Sequence, residues 1–146
     1  FMFRTTFMVG YPGETEEAFS RIPAFLKTMT PVFAGFFEFC PEEGTAASLL
    51  ADSVPGRKVV EKRLQQAHQT NDEQISSFQK KLIGKTMRIL VESVEKSQGV
   101  SIARAYFQAP EVDSVIILQG IYPVGTFLMA ELTGMDGIDL IAKVVE

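Results

Sequence analysis

The sequence predicts an α/β segment followed by a small antiparallel β-barrel. In the first 82 residues, strand-like and helical patterns alternate in the order strand, helix, strand, helix. From residue 83 onward, five short strand-like runs follow one another, separated by glycine and proline turns. That spacing is typical of a small closed barrel. We therefore place one part at residues 1–82 and the other at residues 83–146.

The α/β segment begins with a predicted strand over residues 3–10, which is rich in aromatic and β-branched residues. A helix over residues 14–29 follows, with apolar positions at three- and four-residue steps and glutamates in its first turn. Pro23 predicts a kink there or a later start. A second strand over residues 32–39 is expected to run parallel to the first, because a helical crossover joins them. A long helix over residues 56–82 completes the segment.

The barrel strands are predicted from alternating or β-branched runs bounded by turn residues. Residues 95–99 and 134–137 are predicted turns. The five predicted strands cover residues 86–91, 100–107, 114–118, 126–132 and 140–145.

Charge and cysteine content restrict the function classes. The formal net charge is -4, and residues 83–146 carry five basic and eight acidic side chains. Nucleic-acid readers usually present a basic face, so this balance argues against one. A single cysteine, Cys40, excludes an internal disulfide and a metal site built from cysteines alone, and it fits a reducing, cytoplasmic compartment. The chain opens directly on strand-like sequence, as we expect of a piece cut from inside a larger protein.

Four stretches together resemble the radical-SAM methylthiotransferase family. Residues 4–15 are similar to a late barrel strand and its Gly-Phe-Pro-Gly-Glu-Thr turn, and residues 37–47 are similar to the last barrel strand and its loop. The long glutamine-rich helix and the terminal barrel, which resembles a TRAM domain, follow in the expected order. The resemblance implies the C-terminal βαβα portion of a radical-SAM partial TIM barrel, then a five-stranded, OB-like TRAM barrel.

Two details resemble the branch of that family that modifies a ribosomal protein. The loop after the second strand reads Glu42-Glu43-Gly44-Thr45 instead of the Arg-Pro-Gly-Thr of tRNA-modifying members, and residues 108–113 resemble an Ala-Pro-Glu-Ile-Asp pattern. The resemblance implies methylthiolation of an aspartate β-carbon in small-subunit ribosomal protein twelve, and an acidic barrel suits such a basic partner. The alternatives are a fragment of a tRNA adenosine methylthiotransferase and a non-catalytic binding module built on the barrel.

The cofactors that the resemblance implies are S-adenosylmethionine and 4Fe–4S clusters, in the full-length protein. Each cluster needs three cysteines, and this chain has only Cys40. We therefore expect neither bound cofactor nor catalytic activity in the fragment alone, and we name no catalytic or metal-binding residue.

Part of an S-adenosylmethionine pocket is predicted at Arg4, Gly10, Gly13 and Glu14. Ligands of parallel α/β folds bind at the C-terminal ends of strands, and glycines there allow close approach of the backbone. A plain strand-to-helix turn explains the two glycines equally well. Glu14 is alternatively a cap or a hydrogen-bond acceptor between loops. Arg4 either meets the carboxylate of S-adenosylmethionine or pairs with a structural acid.

A partner-binding face is predicted on the barrel. Arg104, Tyr106 and Gln108 alternate along one predicted strand and so share a face, with Glu111 and Asp113 at its rim. An ordinary solvent-exposed face is the alternative.

We predict no functional role for the remaining candidate residues. We expect Cys40 to be a small buried thiol, His68 and the basic residues 57–58 and 62–63 to be solvated, and the phenylalanines of residues 33–39 to belong to a core. The open edges of the incomplete sheet predict self-association.

Overall fold

The computed structural model describes residues 3–30 and 33–145, with the side chain of Ala51 left aside. Val32, with which the second strand was predicted to begin, lies outside the described residues. The chain divides into two compact units, one up to Ile75 and one from Ser76 onward. Within these described ranges, none of the helices is long and apolar enough to cross a membrane.

The first unit contains two strands, one complete α-helix and most of a second. An unpredicted 3₁₀ helix over Ala46–Ser53 precedes the second α-helix. The elements are β1 Arg4–Val9, α1 Glu16–Met29, β2 Phe33–Glu38 and α2 Arg57–Lys80.

Helix α1 begins later than the sequence predicted. The Thr15 side chain accepts a hydrogen bond from the backbone N–H of Ala18, which makes Thr15 the N-cap. Glu14 therefore precedes the cap instead of lying in the first turn, and it is available for other contacts. Pro23 is buried within α1, and the helix continues beyond it to Met29.

Strands β1 and β2 are parallel, as predicted, with Arg4 opposite Phe33 and Val9 opposite Glu38. One face of this two-stranded sheet carries the unit's core, in which Val9 packs with residues of both helices. On the other face, Met8 and Phe37 are opposite one another and are 41% and 46% exposed. The buried core members are Val9, Phe19, Val60 and Ala67.

Two predictions about residues 33–40 are wrong. Phe39 is buried, but Phe37 is exposed because it points away from the helices. Cys40 is also exposed and not a buried thiol, since it follows the last residue of β2 by two positions and lies outside the sheet. His68 is exposed on α2, as predicted, with its ring 5.0 Å from that of Phe36.

The second unit is a closed five-stranded barrel with strands in the order β3-β4-β5-β7-β6. The predicted number of strands is confirmed. The prediction of a fully antiparallel barrel is wrong, because β5 and β7 are parallel. An odd number of strands cannot alternate in direction all the way round a closed ring, so one neighbouring pair has to be parallel. The strands are β3 Thr86–Glu95, β4 Val100–Ala105, β5 Ile116–Gln119, β6 Phe127–Asp136 and β7 Asp139–Val144.

The predicted turn over residues 134–137 is wrong in its position. Strand β6 continues to Asp136, with a register shift between Leu132 and Gly134 at the extra residue Thr133. A similar shift in β3 lies between Val91 and Ser93. The interior of the barrel is filled by alternate residues of all five strands: Ile89, Val91, Ala103, Ala105, Ile116, Leu118, Ala130, Leu132, Leu140 and Ala142.

Candidate functional site

The turn after β1 is held by hydrogen bonds within the chain. Gly10 and Gly13 have positive φ angles of 83° and 78°, which explains why glycine suits both positions. The N–H of Gly10 donates to Glu14 Oε2 at 3.0 Å, and the N–H of Gly13 donates to the carbonyl of Ser53 at 2.8 Å. The N–H of Glu14 donates to the carbonyl of Tyr11 at 2.9 Å.

Glu14 forms a buried ion pair with Arg63 of α2. Arg63 Nη1 lies 2.8 Å from Glu14 Oε2 and 3.1 Å from the Glu14 carbonyl oxygen. The two side chains are only 7% and 10% exposed. Arg63 Nη2 also reaches the exposed carboxylate of Glu16 at 3.2 Å, and the guanidinium lies 5.4 Å from the ring centroid of Phe19. Glu14 is thus the hydrogen-bond acceptor between segments that the sequence left open as an alternative.

These contacts test whether the turn fits S-adenosylmethionine. The N–H groups of Gly10, Gly13 and Glu14 are all engaged inside the protein, so these three groups are not available as donors to a ligand. A Cβ on Gly10 would lie 2.8 Å from Val60 Cγ2, so packing against α2 explains this glycine. The Cβ direction of Gly13 is open, with no heavy atom within 4 Å. The turn therefore borders open space at Gly13 without offering it these hydrogen bonds.

Arg4 lies at the opposite end of β1 from this turn. Its guanidinium carbon is 4.7 Å from the ring centroid of Phe33, and the side chain is on the face of the sheet that carries Met8. Gly10 follows Arg4 by six positions, which is about 20 Å at roughly 3.3 Å per residue. Arg4 therefore does not share a binding site with Gly10 and Glu14, unless one ligand extends along that face.

Among the described residues, no group of three or more histidine, cysteine or carboxylate side chains is placed to hold a metal ion. Cys40 alone does not fit a 4Fe–4S cluster, which needs several thiolates.

The structure corrects the predicted partner face on the barrel. Strand β4 ends at Ala105, so Arg104, Tyr106 and Gln108 do not lie on one strand. Gln108 is 4% exposed: its Oε1 accepts from Ala105 N at 2.8 Å, and its Nε2 donates to the Ser114 carbonyl at 2.6 Å. Gln108 therefore closes a loop and is too buried to be a direct contact residue.

Arg104 and Tyr106 remain at the surface. The Arg104 side chain is about one-third exposed and forms an ion pair with Glu92 of the neighbouring strand. The Tyr106 side chain is 75% exposed, with its ring edge-on to Phe107 at 5.5 Å.

Glu111 and Asp113 lie in the loop that Gln108 closes. Glu111 is exposed and has a φ of 62°, in the left-handed region that side chains other than glycine rarely adopt. Asp113 Oδ2 accepts from Ala109 N at 2.7 Å and so shapes the loop.

The same loop meets the β6–β7 turn at one end of the barrel. Val115 N donates to Asp139 Oδ1 at 2.8 Å, and Leu140 N donates to the Val115 carbonyl at 2.9 Å. Gln79 Nε2 donates two hydrogen bonds, one to Ser114 Oγ at 2.8 Å and one to the Ile138 carbonyl oxygen at 2.7 Å, and so links the two segments. We call residues 106–115 and 136–139 together the acidic end.

The acidic end combines negative charge with exposed apolar side chains. It contains four carboxylates and no lysine or arginine. Three large side chains are more than half exposed there, namely Tyr106, Val112 and Ile138. Such a surface is complementary to a basic, partly apolar polypeptide.

Sequence reasoning missed two polar residues that organise these regions. Arg63 was predicted to be solvated, but it lies three residues after Val60 and four before Ala67, on the buried stripe of α2. Gln79 lies in the same way between Ile75 and Leu82. A polar side chain on an apolar helical stripe needs an internal partner, and that spacing was the available signal.

Comparison with known proteins finds a match over the barrel. A family model described as the TRAM domain matches residues 83–145. The matched residues include all five barrel strands and the whole acidic end, and Gln79, which supports the acidic end, precedes them.

The chain as a whole, including the residues that match the TRAM model, is similar to the C-terminal part of proteins named ribosomal protein uS12 methylthiotransferase RimO. The relative from Acinetobacter baylyi is 37% identical over 98% of this chain and 33% of its own length. The relative from Myxococcus xanthus is 36% identical over 98% of this chain and 30% of its own length. The relative from a Synechococcus species is 38% identical over 97% of this chain and 31% of its own length. The chain thus spans about one third of the length of these relatives.

Proposed function

We propose that this chain is the C-terminal part of a methylthiotransferase that modifies an aspartate β-carbon of ribosomal protein uS12. The observation that carries the proposal is the match along almost the whole chain to relatives of that name. The acidic end supports it, because ribosomal proteins are generally basic. In this proposal the TRAM domain binds the substrate protein through the acidic end, and the enzyme works in the cytoplasm.

The cofactors that the full-length enzyme would use are S-adenosylmethionine and 4Fe–4S clusters, which together supply the radical needed at an unactivated carbon. The residues described here do not fit the clusters, so we assign them no step of that chemistry and expect the chain alone to be inactive. The first unit belongs, in this proposal, to the end of a radical-SAM barrel. In this proposal the turn near Gly13 borders the S-adenosylmethionine pocket. Arg4 lies at the other end of β1, on the face of the sheet that carries Met8, and meets the ligand only where the ligand extends along that face.

The competing proposal, tRNA as the substrate, draws on the RNA-modifying branch of the family. The charge of the acidic end disfavours it, because a phosphate backbone is bound mainly through lysine and arginine. A non-catalytic binding module is the other alternative, and the same acidic surface would then serve a protein partner alone.

A binding experiment separates these proposals. The 146-residue chain should bind uS12 with an affinity that falls as salt rises from about 50 to 200 mM, and it should bind tRNA much more weakly. The double variant Glu111→Lys, Asp136→Lys should weaken uS12 binding about tenfold or more, because two exposed carboxylates that face the partner are reversed.

The matched control is Glu43→Lys, Glu95→Lys, which makes the same change in net charge at exposed positions outside the acidic end. Equal losses in the two double variants would show that binding follows net charge and not this surface. Tight tRNA binding without uS12 binding would favour the RNA-modifying alternative. Methylthiolation of uS12 by the full-length, cluster-loaded protein, followed by mass spectrometry, distinguishes an enzyme from a binding module.

A further inference from the structure

We propose that Arg63 is a positioning residue for the C-terminal end of β1, acting through Glu14. The inference rests on the proposed function in one respect, because the pocket that this end of the sheet would border is the S-adenosylmethionine pocket. What the structure adds is the way the turn is held. The turn then contributes a fixed backbone conformation to the border of the pocket, and its three engaged N–H groups are not hydrogen-bond donors to the ligand.

A single carboxylate oxygen links helix α2 to the strand end. Glu14 Oε2 accepts from the Gly10 N–H at 3.0 Å and from Arg63 Nη1 at 2.8 Å. The same Nη1 donates to the Glu14 carbonyl oxygen at 3.1 Å. Arg63 therefore holds both the side chain and the backbone of Glu14, and Glu14 in turn holds the first residue after β1.

Burial makes this arrangement depend on the arginine. The Glu14 side chain is 10% exposed, and Arg63 is the one buried cation that pairs with it among the described residues. A buried carboxylate that loses such a partner is strongly destabilised. The second contact of the guanidinium, Glu16, is 79% exposed and gives it little support. Arg63 Nε is buried and has no hydrogen-bond partner among the described residues, so the guanidinium is held through its two terminal nitrogens.

The position of the guanidinium is set by the packing of α2. Val60 and Ala67, on the same stripe as Arg63, are buried in the core against Val9 and Phe19. The missing side chain of Gly10 lets Val60 approach the turn directly. Helix α2 thus contacts the end of β1 twice, once through apolar packing at Val60 and once through the ion pair at Arg63.

The test compares hydrogen exchange in the turn among variants of the 146-residue chain. Arg63→Met keeps an unbranched side chain and removes the charge, and Lys62→Met removes an exposed charge from the next position as a matched control. We expect the Gly10 amide to exchange about tenfold faster or more in the Arg63 variant and to be unchanged in the Lys62 variant. Exchange of the β3 amides serves as the internal reference for each sample.

A second variant keeps the test valid if Arg63→Met fails to fold. In Arg63→Met, Glu14→Gln no buried charge remains, and the amide oxygen introduced at position 14 can still accept from Gly10. We expect this variant to fold and to show faster Gly10 exchange than the wild type, because the acceptor is present but no longer held by α2. Where Arg63→Met also folds, its Gly10 exchange should be faster still. Wild-type exchange in either folded Arg63 variant would overturn the proposal.

The functional readout uses the full-length protein that carries this chain. Arg63→Met should raise the dissociation constant and KM for S-adenosylmethionine about tenfold with little change in kcat, and Arg63→Lys should recover part of the loss. Loss of soluble protein and of kcat together, with an unchanged dissociation constant, would show a merely structural role. If the wild-type protein does not bind S-adenosylmethionine, the proposed function fails, while the exchange experiment still decides whether Arg63 holds the turn.

Discussion

Replacing Gly10 by alanine tests the packing of α2 against the end of β1. The new Cβ would lie 2.8 Å from Val60 Cγ2 and 3.1 Å from Cγ1, and Val60 is only 1% exposed. Real Cβ atoms essentially never come within 3.0 Å of a heavy atom outside their own and the two neighbouring residues, so Val60 or the turn has to move. Overpacking of this kind costs about 1–3 kcal/mol.

A second cost comes from the backbone. Gly10 has a φ of 83°, and an alanine in the left-handed region costs roughly 1–2 kcal/mol. Together the two terms predict that Gly10→Ala lowers the free energy of unfolding by about 2–5 kcal/mol. Gly13→Ala is the matched control, because its φ is 78° and its Cβ would meet no heavy atom within 4 Å. It should lose only the backbone term, about 1–2 kcal/mol.

The steric term can be isolated by a double-mutant cycle with Val60→Ala. In the Val60→Ala background, Gly10→Ala should cost no more than Gly13→Ala does in the wild type, a coupling of about 1–3 kcal/mol. Urea unfolding followed by helical circular dichroism measures these differences, since α1 and most of α2 lie in the first unit. Equal costs at the two glycines, or no coupling to Val60, would refute the steric explanation.

Three further predictions concern the barrel. Gln108→Leu should destabilise the barrel by about 2–4 kcal/mol, because it leaves one buried N–H and one carbonyl unpaired. Gln119→Leu, the control at an exposed position, should change the free energy of unfolding by no more than about 0.5 kcal/mol. Urea unfolding measures both variants, and similar costs would contradict the internal role of Gln108. Glu111→Gly should raise the melting temperature slightly, by relieving a φ of 62°, and a lower melting temperature would disagree. Arg104→Ala should cost about 1 kcal/mol or less because its pair with Glu92 is partly solvated, and a larger loss in the same unfolding assay would indicate a role beyond that pair.

Local patterns were sufficient for the α-helices, the strands and their order, but not for the 3₁₀ helix over Ala46–Ser53. Five alternating runs with glycine turns predicted the number of barrel strands, and a helical crossover predicted the parallel pairing of β1 and β2. The parallel contact of β5 with β7 was missed, although closing five strands into a ring requires one such pair. Element boundaries at Glu16 and Asp136 were also missed, because a cap and a register shift decided them.

The candidate sites were less predictable, because a residue type does not show where its side chain points. Gln108 was expected at the surface, yet it is buried and its amide closes the loop after β4. Arg63 was expected in solvent, yet it pairs with Glu14, forty-nine residues earlier in the chain. The partner of Arg63 is set by long-range packing that no short sequence window contains. The partners of Gln108 lie only three and six residues away, but the way this loop folds back decides that the amide reaches them.

The turn at the end of β1 shows which features depend on the sequence alone and which depend on the tertiary structure. By itself the sequence determined that a glycine-containing turn follows a strand and precedes a helix, because glycine and proline act within a few residues. Only the tertiary structure decided what that turn does. Helix α2 brings Val60 against Gly10 and Arg63 against Glu14, and the Glu14 carboxylate that Arg63 holds accepts the hydrogen bond of the Gly10 N–H.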